Sequence, residues 1–330
     1  MLLDDGRFLV AGTRRAPEEG PRRFVAALTA DGQVAWRDTY GPGRIDDAAR
    51  VPDGGALLVG GDRATVVTPN GAEIRSERYE DADIEAAARL ADGYVLAGAT
   101  TGDPDRLLLR IDGTGDREWR EVRRGDGPDR FTDAVVEGDA VIVAGAAPPA
   151  GGTGVRPTVA IYHGDGTREW SATHRGGADG TGVAIAPAGS GAVAAVPHNG
   201  SGRLVGFEGG DSAGVTGLVA SPRAVTVLGD GRYLVTGERD GDAWAGVVAP
   251  GFASPAGLAP ADGTDREPDD SGDGDGTARD GSGGGTDDGG GRPSVPVGGP
   301  STVVTGLLVA AALVASLVAV AVSVLAWRRL

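Results

Sequence analysis

The stretch Asp92–Trp119, DGYVLAGATTGDPDRLLLRIDGTGDREW, decides how the rest of the chain is read. An Asp-Gly turn signal opens an apolar run that closes on Gly98. A polar break leads to a second apolar run, Arg106–Ile111, and then to a turn glycine, Gly115, four residues ahead of Trp119. Short β-prone runs punctuated by such turns predict antiparallel hairpins.

The same phrase recurs along the chain. Glycine-closed runs stand at Phe8–Gly12, Ala56–Gly60, Tyr94–Gly98, Val141–Gly145 and Tyr233–Gly237, and Ala192–Val196 is a degenerate copy in the one vacant place. Asp5-Gly6, Asp53-Gly54, Asp92-Gly93 and Asp230-Gly231 precede four of them. The glycine-to-tryptophan spacing recurs at Gly32/Trp36 and Gly166/Trp170, and the second copy keeps the turn as Asn70-Gly71 but holds Arg75 in the tryptophan's place. Each unit of about 45 residues reads as four strands: a first such as Glu85–Leu90, the glycine-closed run, a third such as Arg106–Ile111, and a fourth carrying Trp119. The expected fold is all-β, a β-propeller of about six four-stranded blades over residues 1–252.

The run from Asp92 to Thr101, followed by Asp105–Gly113 and Glu118-Trp119, resembles the repeat of secreted quinoprotein-like (PQQ-like) β-propeller proteins. The resemblance implies the propeller fold. It also implies that dehydrogenases of the family would carry vicinal cysteines and calcium-binding acids beside the quinone. This chain has no cysteine, which argues against PQQ and against that enzyme, and equally removes disulfide staples and thiolate zinc sites.

The two ends of the repeat are ragged. Met1-Leu2-Leu3 is only a remnant of a first strand, and the sixth unit stops after its third strand, Ala243–Ala249. No signal peptide precedes residue 30. Together these lead to the expectation that the true start lies upstream of Met1, with a signal peptide and part or all of a blade preceding it; an intact protein with a ragged closing blade is the alternative.

Beyond the repeat, the composition changes twice. Residues 253–300 are rich in Gly, Asp, Ser, Thr and Pro with little to bury, and read as a disordered, self-repelling tether. Residues 301–330 hold the uncharged run Val303–Trp327, long enough at about 1.5 Å per residue to cross a hydrocarbon core of about 30 Å. Arg328 and Arg329 follow as a cytoplasmic stop. The expected topology is a single-pass membrane protein with its propeller outside the cell; a cytoplasmic propeller on a tail anchor is the alternative.

The whole chain carries a formal charge of −16 and no lysine. An acidic surface without long apolar lysine stems stays solvated in concentrated salt, and the composition resembles that of proteins from extreme halophiles. Nucleic acid is excluded as a partner by the same charge.

Candidate sites are few. Asp47, Glu85, Asp133 and Asp179 stand near the starts of first strands; if those strands are innermost, the four carboxylates would gather at one channel mouth and bind a cation such as calcium. In the linker, Asp269, Asp273 and Asp280 match the ligand spacing of a calcium loop, although no helical pattern flanks them. Trp36, Trp119 and Trp170 recur at one blade position, so packing between blades is expected rather than a stacking platform. His163, His174 and His198 share no spacing. No catalytic residue or bound cofactor is assigned. The function expected is a binding or scaffolding module for a protein, glycan or ion, with a quinoprotein-like oxidoreductase, a propeller hydrolase and a structural envelope component as alternatives.

Overall fold

In the apolar runs the side chains on both faces are aliphatic, so strands built from them must be covered on both sides, whereas the tryptophan-bearing runs alternate charge with apolar residues and suit an outer edge. A computed structural model of the protein arranges the strands accordingly, and describes residues 1–16, 20–125, 129–148, 155–180 and 182–251. Blade one consists of β1 (Phe8–Ala16), β2 (Gly20–Leu28) and β3 (Val34–Pro42). Blade two is β4 (Asp47–Arg50), β5 (Ala56–Gly60), β6 (Arg63–Val67) and β7 (Glu73–Arg78). Blade three is β8 (Ala82–Arg89), β9 (Gly93–Thr100), β10 (Arg106–Asp112) and β11 (Arg117–Arg123). Blade four is β12 (Arg130–Glu137), β13 (Ala140–Ala147), β14 (Arg156–His163) and β15 (Arg168–Thr173). Blade five is β16 (Ala184–Ala188), β17 (Gly191–His198), β18 (Ser201–Glu208) and β19 (Asp211–Leu218), and blade six is β20 (Ser221–Gly229), β21 (Arg232–Arg239) and β22 (Asp242–Val248).

Every sheet is an antiparallel meander in chain order, and the six sheets form the six-bladed propeller that the repeat predicts. Blades one and six have three strands each. Blade one lacks a full first strand: Met1–Leu3 occupies its place with a single bridge, Leu2 to Phe8, and the Met1 amino group donates to the Leu9 carbonyl at 3.0 Å. Among the described residues blade six has no fourth strand.

First strands pack on first strands, β4 on β8, β8 on β12, β12 on β16 and β16 on β20, so they are the innermost of their blades. The core lies between blades: Leu57, Leu96, Leu107, Leu109 and Ile111 fill the interface of blades two and three, and Ile142, Ile161, Ile185 and Phe207 that of blades four and five. Burying one such leucine or isoleucine is worth about 2 kcal/mol. Between blades three and four, Phe131 meets Tyr162 edge-on, with ring centroids 6.5 Å apart.

The recurrent closing glycine has a steric cause. A Cβ on Gly60, Gly98, Gly145 or Gly237 would stand 2.4, 2.1, 1.9 or 2.0 Å from a carbonyl oxygen of the neighbouring first strand, that of Arg44, Asp83, Arg130 and Ser221 respectively. In blades three, four and six the first strand is bulged opposite this glycine, which presses its backbone inward. Blade five has Val196 instead, and there the register runs without a shift.

Candidate functional site

Aligning the first strands on the closing glycines places Arg44, Asp83, Arg130 and Ser221 at one level of the channel, Asp46, Glu85, Thr132 and Arg223 two residues on, and Asp47, Ala86, Asp133 and Ala224 one further. The four expected carboxylates therefore do not form a ring. Asp47 and Asp133 are equivalent; Glu85 is the bulge residue one step earlier; Asp179 precedes β16 in an exposed turn, where it accepts the Gly200 N–H at 3.3 Å. Among the described residues no three acids or histidines are gathered as a metal site.

What the acids do is join blades. Asp47 accepts the Ala48 N–H at 2.7 Å and, across the blade boundary, the Ala87 N–H at 2.9 Å. Asp133 repeats this with Ala134 and, in the next blade, Ile185, at 2.8 Å each. Burial pushes the Asp133 carboxyl up to about 7, and the charge on Asp47 adds to it, while burial also raises Asp47. Glu85 is neutralised by Arg130. Arg44 binds Asp46 and reaches Asp83 at 2.5 Å, and the other oxygen of Asp83 lies 3.7 Å from Arg130, so alternating charges run across blades two, three and four. These arginines and Asp83 escaped the sequence reading, although the two-residue spacing of Arg44 to Asp46 and Asp83 to Glu85 would have exposed them.

The opposite face carries the turns between first and second and between third and fourth strands. The Trp36 indole donates to the Pro69 carbonyl at 2.9 Å and Trp119 donates to Gly164 at 3.1 Å, each in the turn of the following blade. Arg75 does the same from the equivalent position, donating to Gly113 at 3.2 Å. The tryptophans are thus inter-blade joints as expected, and a flat guanidinium substitutes for an indole. Four residues further on, the hydroxyls of Tyr40 and Tyr79 donate to Gly71 and Gly115 of the following blade at 2.6 and 2.8 Å, and burial pushes both phenols up to about 12. This second position was not read from the sequence. His174 stands at the equivalent place and contacts Ser212 of blade five at 3.0 Å; His198 contacts the Gly177 carbonyl.

Two clefts open on this face. One of about 370 Å³ lies between blades two and three, and one of about 630 Å³ between blades three and four. They share Leu90, Ala91 and Asp92, so they form one groove across three blades. Its second half is floored by Trp119 and rimmed by Asp92, Glu118, Asp139 and Asp165. Buried Arg110 holds Asp92 and Glu118 at 2.5 and 2.6 Å and braces the rim.

The chain matches no known protein-family profile and no curated protein. Among solved structures it is similar to Kuenenia stuttgartiensis hydrazine synthase, with a TM-score of 0.57 and 15% identity over 76% of this chain and 82% of that one. It is also similar to Sqt1 from Chaetomium thermophilum, with a TM-score of 0.50 and 14% identity over 74% of this chain and 66% of that one. At such identities the likeness shows a shared propeller fold and nothing of activity.

The expected calcium loop of Asp269, Asp273 and Asp280 lies outside the described residues, as do the tether and the apolar run Val303–Trp327. Among the described residues no helix is long and apolar enough to cross a membrane.

Proposed function

We propose that this protein is a single-pass membrane protein whose propeller stands outside the cell and acts as a binding or scaffolding module. The observation that carries the binding role is the continuous groove across blades two to four. It brings an apolar floor and exposed carboxylates together, whereas Asp47 and Asp133 on the channel side are engaged in joining blades. Such a groove suits an extended protein or glycan ligand with cationic or hydroxyl groups for the rim. The uncharged run Val303–Trp327 and its following arginines support the anchor and its orientation.

A photoreactive residue in place of exposed Ala91, in the full chain in its native membrane, should capture a discrete partner that the same residue at Arg120 on β11 does not. Equal labelling at both positions would defeat the groove as a binding site. Stoichiometric dye reduction by the purified protein with quinone and calcium would instead establish an oxidoreductase. Protease shaving of intact cells should remove the propeller, and its protection would overturn the outward orientation.

A further inference from the structure

The groove across blades two to four is unevenly charged along its length, and that asymmetry narrows the class of ligand it takes; the inference rests on the reading of the groove as a binding site. The end between blades three and four has four carboxylates on its rim, and among the described residues that line it Arg110 is the one cation. That guanidinium is occupied by Asp92 and Glu118. Asp165 accepts the Thr167 N–H at 2.8 Å and Asp139 is exposed, and neither has an ionic partner among the described residues. Two carboxylates are thus left uncompensated around the half-buried Trp119 indole. Carboxylates in a concave apolar site concentrate cations and are costly to cover with a neutral group.

The other end, between blades two and three, has an apolar wall and an unengaged hydroxyl. Ile74 on β7 is 63% exposed and lines this cleft together with Val66 and Pro69. Tyr94, the second residue of β9, lines it too and is only 4% exposed, yet among the described residues its hydroxyl has no hydrogen-bond partner. The oxygen is not sealed in the core, so it opens into the cleft, where the charges of Arg89, Arg75 and Asp53 act on it. Tyr233, at the same position in blade six, donates to the Pro187 carbonyl of blade five at 3.4 Å. The Tyr94 phenol is therefore a buried donor without an acceptor, and a carbonyl oxygen entering the cleft would supply one.

We propose that the groove binds an extended segment of a basic polypeptide. A lysine or arginine side chain of the segment enters the end between blades three and four, with its stem along Trp119 and its charge among Asp139, Asp165 and the Arg110-bound Asp92 and Glu118. On the same face of the segment, at an even spacing from the cation as an extended chain requires, an apolar side chain packs on Ile74 and Val66. A main-chain carbonyl beside that side chain accepts the Tyr94 O–H. A neutral glycan would satisfy the hydroxyl and stack on the indole but leave Asp139 and Asp165 uncompensated beneath it, so a polypeptide cation is the better match.

The probe is a fluorescent, acetylated heptapeptide amide with lysine at both ends, leucine at its third and fifth places and serine between, titrated into the full-length protein in detergent micelles. Saturable one-to-one binding is expected, weakened about tenfold or more when both lysines are replaced by glutamine, and about tenfold in the protein variant Asp139→Asn/Asp165→Asn. Asp230→Asn/Asp240→Asn removes the same charge from exposed turns of blade six, at positive φ that asparagine tolerates, and should leave binding within about twofold. An equal loss in both variants would mean that the peptide follows net charge and would overturn the proposal. Tyr94→Phe deletes only a hydroxyl that is unpartnered in the free protein, so the melting temperature should stay at or above wild type while binding weakens about threefold to tenfold. Absence of binding at millimolar peptide, unchanged binding in Asp139→Asn/Asp165→Asn, or a glutamine peptide or neutral glucan oligosaccharide that binds as tightly as the lysine peptide would also overturn it. If the photoreactive residue in place of Ala91 still captures one discrete partner in that event, the groove stands as a binding site for another class of ligand; equal labelling at Ala91 and Arg120 removes the groove itself.

Discussion

The junction of blades three and four and the seam of blades six and one are made from the same repeat, yet among the described residues the first carries contacts that the second lacks. At the first, Trp119 covers Gly166 and Glu85 binds Arg130, and within blade four Gly145 lies against the Arg130 backbone. At the second, Gly12 and Gly32 face open space and β22 has a free edge. A propeller blade therefore owes its stability to what its neighbours lend, and identical residues are worth different amounts in different blades.

The difference can be broken most forcefully at the closing glycines. Gly145→Val should abolish folding or cost at least about 3 kcal/mol, because its Cβ begins inside a backbone contact, whereas Gly12→Val should stay within about 1 kcal/mol of wild type. Chemical denaturation of the two variants measures both, and equal losses would mean that blade one is closed in solution. Next in size, Trp119→Ala should cost about 2 to 3 kcal/mol through lost packing and loss of one of the two donors to the Gly164 carbonyl, the other being Arg110. Trp244→Ala should cost about half as much, as its ring lies over Gly246 of its own strand.

An effect set by pH concerns Asp133, whose counterpart in blade six is Ala224. Its carboxyl holds its proton up to about pH 7 when folded and releases it near the ordinary value of 3.8 when unfolded. The folded state thus binds the proton more tightly, and its contribution is present below pH 4 and lost as pH rises to about 7. Denaturation midpoints should decline between pH 5 and 8 by an amount worth about 2 kcal/mol, and Asp133→Asn should flatten that slope. A slope that persists in the variant would place its origin elsewhere.

Periodicity made the strands and their order legible, since glycine spacing and tryptophan spacing both report a repeating steric demand. Part of the ragged ends was legible: Met1–Leu3 does lie where a first strand belongs, and among the described residues β22 is the last strand of blade six. The channel was not. Whether an acid meets a cation or a backbone N–H depends on its position relative to a bulge, and one residue separates Glu85 from the level of Asp47 and Asp133. Side-chain type alone could not distinguish a ring of ligands from a set of ties between blades. Arg75 was legible only as an exception, although its geometry makes it an equivalent of tryptophan.

The forward reach of Trp36, Tyr40, Arg75, Tyr79 and Trp119 makes fraying from the two ends unequal. Loss of blade one withdraws a ring and a phenol from blade two and leaves behind turn carbonyls that water readily solvates. Loss of blades six and five instead strips the cover from Trp170, an indole left on the remaining arc, and exposes a greasy surface that invites aggregation or a chaperone. Which terminus opens first under stress thus decides whether a partly unravelled molecule stays dispersed or sticks.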